Sequence, residues 1–105
     1  MQRKPLRPGR PMGARTFDAG IAAAFGGAVQ AVRHELGISQ EVLAAKAGIE
    51  RSHLGKLERG VHLPTAVAIF KIADALGCHS YELMAYVEAL LPASYLANLT
   101  RRTHG

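Results

Sequence analysis

The sequence predicts an all-α protein, with a compact domain of five helices preceded by a basic arm. From Phe17 onward, Val, Ile and Thr never alternate with polar residues over the length of a strand, which argues against a sheet. Capping residues and glycines divide the same stretch into five segments of helical periodicity. Apolar residues make up 49% of the 105 residues, which is enough for one domain with its own core.

The first helix has a clear start and stop but an ambiguous interior. Asp18 is suited to capping its N-terminus, and Gly37 lies just past its last residue, Leu36. Gly26-Gly27 interrupts the segment, and each glycine costs about 1 kcal/mol relative to alanine within a helix. We therefore expect this helix either to kink at the glycines or to begin only after Phe25.

The second and third helices are short and follow each other closely. Ser39 is a good N-cap for the second helix, and Ile38 and Leu43 have the spacing of a hydrophobic staple. The third helix is predicted from about Arg51 to Glu58, with a stop at Gly60.

The last two predicted helices are also bounded by local signals. The fourth should begin after Thr65 and end before Gly77, because threonine caps helices and glycine closes them. The fifth should run from its cap at Ser80 to Leu91, where Pro92 stops it.

These signals also give the domain boundaries. Residues 1–16 form a flexible basic arm, residues 17–91 form the domain, and residues 92–105 form a C-terminal extension. Within the extension, Ala93–Leu99 is expected to add no more than a short turn, and Thr100–Gly105 to be frayed.

The segment Gln40–Arg59 has the spacing of two short helices that cross at a steep angle. Gly48 falls in the turn between them, where a positive φ costs glycine nothing. Ala44 falls where the helices come closest, and a larger side chain there would push them apart. The apolar positions that should face inward are Leu43, Ala47, Ile49, Leu54 and Leu57. This pattern is typical of a helix-turn-helix motif.

The net charge of +5 is concentrated at the N-terminus. The first fifteen residues contain five basic residues and no acidic one, whereas the remainder contains eight of each sign. Three prolines and two glycines in the same stretch exclude a stable helix. Such a segment, including Arg10, is suited to following a phosphate backbone or a minor groove, although it could also be a tail that only aids solubility.

The central part of the chain resembles a known family. Phe25–Leu83 is similar to the Cro/cI (Xre-type) helix-turn-helix DNA-binding domain. The resemblance is carried by Arg33, Gly37-Ile38-Ser39-Gln40, Leu43-Ala44, Ala47-Gly48-Ile49, Leu54, Leu57-Glu58-Arg59-Gly60, Pro64 and Ile72-Ala73-Asp74-Ala75-Leu76-Gly77. It implies a compact lambda-repressor-like fold and sequence-specific binding of double-stranded DNA, most often by a transcriptional repressor.

The resemblance also implies roles for individual residues. Gln40 would open the second helix and hold a DNA phosphate, and Arg59 would return to the backbone. The recognition helix would project Arg51, Ser52 and Lys56 into the major groove. Arginine and lysine commonly read guanine there, and serine can bond to either donor or acceptor groups on the base edges.

The resemblance also implies an ion pair behind the recognition helix. In the family, the arginine at the position of Arg33 pairs with the glutamate at the position of Glu58, which ties the first helix to the end of the recognition helix.

Three other residues of the recognition segment have open interpretations. Glu50 stands at the N-cap, where a carboxylate suits the helix dipole but repels phosphates unless it accepts from a cytosine amine. Gly55 either is simply tolerated or permits close approach of the backbone to DNA. His53 either touches DNA or is an exposed spacer.

The C-terminal part carries more apolar residues than five small helices need. Met84, Val87 and Leu91 form a stripe at helical spacing, and Tyr95 and Leu96 follow it. We expect this surface to form a homodimer, although it could complete the domain core or bind a foreign protein. The last possibility corresponds to an alternative function, an antitoxin-type module that binds a partner protein and regulates its own gene.

Other functional classes have little support in the sequence. There is no phosphate-binding glycine loop and no nucleophile elbow, so we expect no enzyme. The five histidines lack metal-ligand spacing, and Cys78 is the only cysteine, so we expect no metal and no cofactor. Cys78 fits core packing better than redox sensing. No signal peptide or uncharged membrane-length apolar run is present, which indicates a cytoplasmic protein without membrane contact.

Overall fold

The computed structural model describes the backbone of residues 17–104 and the side chains of residues 17–98. Six helices lie in this part of the chain and no strand does, so the predicted all-α class is confirmed. The helices are α1 (Ala19–Leu36), α2 (Gln40–Ala47), α3 (Arg51–Glu58), α4 (Ala66–Leu76), α5 (Ser80–Leu90) and α6 (Ala93–His104). The predicted number of five was one too few, because residues 93–104 are helical.

Side-chain caps and glycines set the helix ends where the sequence predicted them. Asp18, Ser39 and Thr65 each accept a hydrogen bond from the backbone N–H three residues later. Glycines in the left-handed region close α1, α2 and α4, which satisfies the last carbonyls of each helix.

The start and end of α5 differ by one residue from the prediction. His79 is the N-cap and Ser80 is the first helical residue, because the Glu82 carboxylate accepts the backbone N–H of His79 at 2.8 Å. The helix ends at Leu90, and Leu91 is already extended.

A single core joins α1 to α5. α1 packs against α5 and α3, while α2 packs against α3 and α4. The largest fully buried side chains are Phe25, Val29, Leu43, Leu54, Leu57, Ile72, Leu83 and Val87. Burial of each such side chain contributes roughly 1.5–3 kcal/mol, so this shared core holds the short helices α2 and α3 in place.

Gly26 allows α3 to end directly against α1. The helix α1 begins at Ala19 and runs unbroken through Gly26-Gly27, so the expected start after Phe25 was wrong. A Cβ atom at Gly26 would lie 2.4 Å from the carbonyl oxygen of Glu58 and 2.6 Å from that of Leu57. The absence of a side chain is therefore a packing requirement that offsets the poor helix propensity of glycine.

The sixth helix is attached to the beginning of α1. The Tyr95 hydroxyl donates to the Asp18 carboxylate, and its ring lies over Gly20, where an added Cβ would be 3.3 Å from the ring. Pro92 lies between α5 and α6, and its carbonyl oxygen accepts from the N–H of Tyr95, so it precedes the first turn of α6. This anchoring explains why a segment expected to be a turn is helical.

Within the described residues, no helix combines the length and the apolar character that crossing a membrane requires.

The two central glycines of α1 provide a matched pair for testing the contact with α3. Gly26→Ala should lower the free energy of unfolding by roughly 1–3 kcal/mol or more, because rigid backbone carbonyls occupy the space of the new methyl group. Gly27→Ala should be neutral or stabilising, since it meets only the flexible end of Leu90 at 3.4 Å and alanine is the better helix former. Denaturant unfolding of both variants measures the difference, and equal effects would contradict the close approach.

Candidate nucleic-acid interface

The turn between α2 and α3 brings the two helices together over small residues. Gly48 has a φ of 71°, and the N–H groups of Gly48 and Ile49 bond to Ala45 and Ala44. Ala44 is 3% exposed, so its methyl group fills the contact between the helices. The turn at Gly48 and the close helix contact at Ala44 that the spacing predicted are therefore present.

One face of α3 carries polar and basic side chains into solvent. Arg51, Ser52, Lys56 and Arg59 are exposed, and His53 is half-buried. Glu50 occupies the N-cap, but its side chain makes no capping hydrogen bond. The first N–H groups of α3 therefore depend on other acceptors, such as water.

A buried ion pair fixes α3 from behind. Arg33 Nε lies 2.8 Å from Glu58 Oε2 and Arg33 Nη2 lies 2.8 Å from Oε1, which is a bidentate pair. The Glu58 side chain is 0% exposed and that of Arg33 is 11% exposed. The hydrogen bond and charge of Glu58 raise the pKa of Arg33, whereas burial opposes this effect. Losing one partner of such a pair costs about 3–5 kcal/mol, because the other charge is left buried alone.

Arg33 also holds the chain between α1 and α2. Its Nη1 atom donates to the carbonyl oxygen of Ile38 at 3.0 Å. Gln30, also on α1, donates through Nε2 to the backbone carbonyl oxygen of Glu58 at 3.5 Å. Arg33 therefore joins α1 to the loop before α2 as well as to α3.

Gln40 connects this buried pair to the exposed face. Its Nε2 atom donates to Glu58 Oε1 at 2.8 Å, and its Oε1 atom accepts from Arg51 Nη1 at 3.4 Å. A shallow cleft of about 290 Å³ between the N-termini of α2 and α3 is lined by Ser39, Gln40, Glu41 and Arg51. The sequence predicted Gln40 as a phosphate contact but not its bond to Glu58.

Gly55 provides room for the side chain of Arg59. It is buried, and a Cβ atom there would lie 3.2 Å from Arg59 Nη1 and 3.7 Å from Gln40 Oε1. The Arg59 guanidinium therefore lies over a backbone surface that glycine leaves open. Neither sequence interpretation of Gly55 included this role.

The histidines and the cysteine form no composite site in the described part of the chain. The rings of His53 and His62 are 6.3 Å apart, but no group of three or more potential metal ligands occurs among the described residues. Cys78 is half-buried against the core, and burial together with the charge of Glu82 raises the pKa of its thiol. A raised thiol pKa lowers the thiolate fraction and so disfavours reactivity.

The residues predicted for a dimer surface lie in different environments. Val87 is 1% exposed and packs in the core against α1, so its assignment to an interface was wrong. Met84 and Leu91 are partly buried against the same core, and Tyr95 is bonded to Asp18. Leu96 is 38% exposed.

A different apolar surface was missed by the sequence analysis. Phe70 is 62% exposed on α4 and Tyr81 is 70% exposed on α5. With Ala66, Ile69, Ser80 and Met84 they line a groove of about 370 Å³. Val67 and Phe70 fall outside the predicted apolar face of α4, and that surplus is the signal that could have indicated this groove.

Arg10 and the rest of the basic arm lie outside the described residues, so their contact with DNA stays a prediction.

Comparison with known proteins agrees with this geometry. The helix-turn-helix family profile matches residues 29–83, which is more than half of the chain. An uncharacterised HTH-type transcriptional regulator of Sinorhizobium fredii is 38% identical over 53 residues, covering 50% of this chain and 69% of the relative. The uncharacterised HTH-type transcriptional regulator YazB of Bacillus subtilis is 40% identical over 62 residues, covering 59% of this chain and 90% of the relative.

A solved structure shows the same fold. The restriction-modification controller protein C.AhdI of Aeromonas hydrophila superposes with a TM-score of 0.58 at 39% identity, covering 59% of this chain and 94% of that one. The family match agrees with the α2–turn–α3 unit, which the buried ion pair fixes, and with the exposed basic face of α3. The chain belongs to the Cro/cI type of the helix-turn-helix family, a family of DNA-binding transcriptional regulators.

Proposed function

We propose that this protein binds specific sequences of double-stranded DNA through α3 and acts as a repressor of transcription. The observation that carries the proposal is an exposed row of polar side chains on a helix whose back is fixed by a buried ion pair. Arg51, Ser52 and Lys56 contribute this row, and the pair of Arg33 and Glu58 fixes the helix. A reading helix needs this rigidity, because base contacts are lost when side chains are displaced by a fraction of an ångström.

The chemistry of these side chains favours recognition of the major groove. Arginine bonds in a bidentate manner to guanine O6 and N7, and lysine reads the same edge with one charge. Gln40 and Arg59 flank the row and are suited to phosphates. Glu50 and His53 extend it, with Glu50 restricted to a cytosine amine because a carboxylate repels the backbone.

Binding at a promoter is sufficient to obstruct transcription, and this supports repression over activation as the simpler outcome. We assign no catalytic role to any residue. The site of action is the compartment that contains the DNA, which we take to be the cytoplasm.

The proposal includes a homodimer that uses the α4–α5 groove. One recognition helix covers too few base pairs for a useful specificity ratio in a genome, and two-fold symmetry solves this by doubling the site. The groove is apolar, and Phe70 and Tyr81 expose most of their rings along it. An exposed apolar surface of this kind can pack against a copy of itself across a two-fold axis.

The reading role of Arg51 can be separated from simple phosphate binding. Arg51→Ala should weaken binding to the preferred duplex by roughly 1–3 kcal/mol and binding to random DNA much less. Lys46→Ala is the matched control, because Lys46 is an exposed basic residue at the end of α2 and not on α3. Titration of both duplexes by fluorescence anisotropy measures the difference. An equal loss on both duplexes would identify Arg51 as a phosphate contact.

The basic arm should contribute to binding without strongly affecting specificity. Removal of residues 1–15 should flatten the dependence of affinity on salt, since each lost phosphate contact lowers the log–log slope by about 0.9. The control is a variant in which glutamine replaces the five basic residues of the arm, so that the charge is removed while the length of the arm is kept. An unchanged slope in both would make the arm a passive tail, and a loss confined to A·T-rich flanks would indicate minor-groove contact.

The dimer surface can be located with single charges. Phe70→Lys should give a folded monomer, because the side chain is already 62% exposed and the change places like charges across the two-fold axis. Leu36→Lys is the control, since Leu36 is 51% exposed on α1 and does not line the groove. Sedimentation at micromolar concentration distinguishes monomer from dimer. Dissociation by Leu96→Lys instead would place the interface on α6, and a monomeric wild-type protein would leave the groove to a partner protein.

A further inference from the structure

Gly55 lies in the middle of α3, where glycine weakens a helix that has only eight residues. The apolar side of α3 does not require it, since Leu54 and Leu57 already fill the core. In the described part of the chain, a Cβ atom at Gly55 would meet no backbone of another helix and no core side chain within 4 Å, only Arg59 Nη1 at 3.2 Å and Gln40 Oε1 at 3.7 Å. Core packing therefore does not explain why this position lacks a side chain.

The side chain of Arg59 folds back over Gly55. Arg59 is the C-cap of α3, and its N–H bonds to the carbonyl oxygen of Gly55 at 3.0 Å, so the two residues are one turn apart. Side chains of a helix lean toward the preceding turn, which directs Arg59 over Gly55 rather than past the end of the helix. The guanidinium lies against open backbone there, and Gly55 is buried although Arg59 is exposed.

The charge of Arg59 has no acidic partner among the described residues. The carboxylate of the adjacent Glu58 is 0% exposed and is paired with Arg33, so it is not available. The place over Gly55 is also next to Gln40, the first residue of α2. The N–H groups at the start of a helix favour an anion, and the Arg59 guanidinium adds a full positive charge beside them.

We propose that Gly55 is a positioning residue for DNA binding, whose missing side chain lets the Arg59 guanidinium lie beside the start of α2, where it contacts a backbone phosphate. Gly55 acts only through Arg59. A guanidinium that is placed before binding loses less side-chain entropy in the complex. An alanine at this position would displace the guanidinium while making α3 a better helix, so stability and DNA affinity should change in opposite directions. This inference rests on the proposed binding of DNA through α3.

The first test measures the stability and the DNA affinity of Gly55→Ala. The melting temperature should rise by about 4–8 °C, because alanine is the better helix former and only the flexible end of Arg59 must move. Affinity for the preferred duplex and for random DNA should fall by the same factor, roughly 2- to 10-fold, because a phosphate contact carries no base preference. A lower melting temperature, an unchanged affinity or a loss on the preferred duplex alone would overturn the inference.

A double-mutant cycle with Arg59→Ala separates this role from direct contact between position 55 and DNA. Arg59→Ala should lower the slope of log affinity against log salt by about 0.9, since it removes one phosphate contact. In that background Gly55→Ala should change the affinity little, because no guanidinium remains to be displaced. An equal loss in both backgrounds would show that the new methyl group meets the DNA itself, which would overturn the inference.

Gly27→Ala is the matched control for a change in helix propensity. It makes the same substitution on α1, where a Cβ atom meets only Leu90 Cδ1 at 3.4 Å, outside the residues that we propose to contact DNA. Its affinity for both duplexes should equal that of the wild-type protein. A loss as large as that of Gly55→Ala would show that a more stable helix at either place weakens binding, which would contradict the role of Gly55.

The wild-type protein distinguishes failure of this inference from failure of the proposed function. A wild-type protein that binds no duplex at low salt would contradict the proposed function and, with it, the role of Gly55. A wild-type protein that selects a duplex, and whose affinity does not change in Gly55→Ala, would overturn the inference alone.

Discussion

The buried carboxylate of Glu58 is the interaction on which the placement of the recognition helix depends. It lies at the last position of α3, where Gly26 of α1 allows the helix to end against a bare backbone. Its oxygens accept from α1 through Arg33 and from the start of α2 through Gln40. Burying this charge is costly, and a buried pair often stabilises a fold no more than apolar residues of the same shape would. Its value is geometric, because three helices must meet in one arrangement to satisfy it.

The same constraint explains how a short helix can serve as a rigid reader. An eight-residue helix is marginal in isolation, so α3 depends on tertiary contacts for its stability. Leu54 and Leu57 anchor its apolar side in the core, while Glu58 fixes its end. The opposite side is not needed for the core and carries the exposed residues that we propose to contact DNA. The apolar groove between α4 and α5 involves none of these residues, so a second copy could bind there while α3 binds DNA.

The features that the sequence predicted well are those set by residues close together in the chain. Caps such as Ser39 and Thr65 and closing glycines such as Gly48 act within a few positions, so helix bounds followed from local patterns. Features that depend on tertiary packing were missed or misplaced. The spacing of Val87 fits a surface stripe as well as a core position, and only the packing of α5 on α1 decides between them. The helical state of α6 likewise depends on Tyr95 and Asp18, which are separated by 77 positions.

Selection of bound duplexes from a random library by the purified protein would show whether α3, held by Glu58, reads one half of a symmetric DNA site, as we propose. We expect an inverted repeat whose half-sites contain a guanine and lie about one helical turn, roughly 34 Å, apart on one face of the duplex. Enrichment of no common sequence, or of a single site without symmetry, would contradict the proposed symmetric recognition.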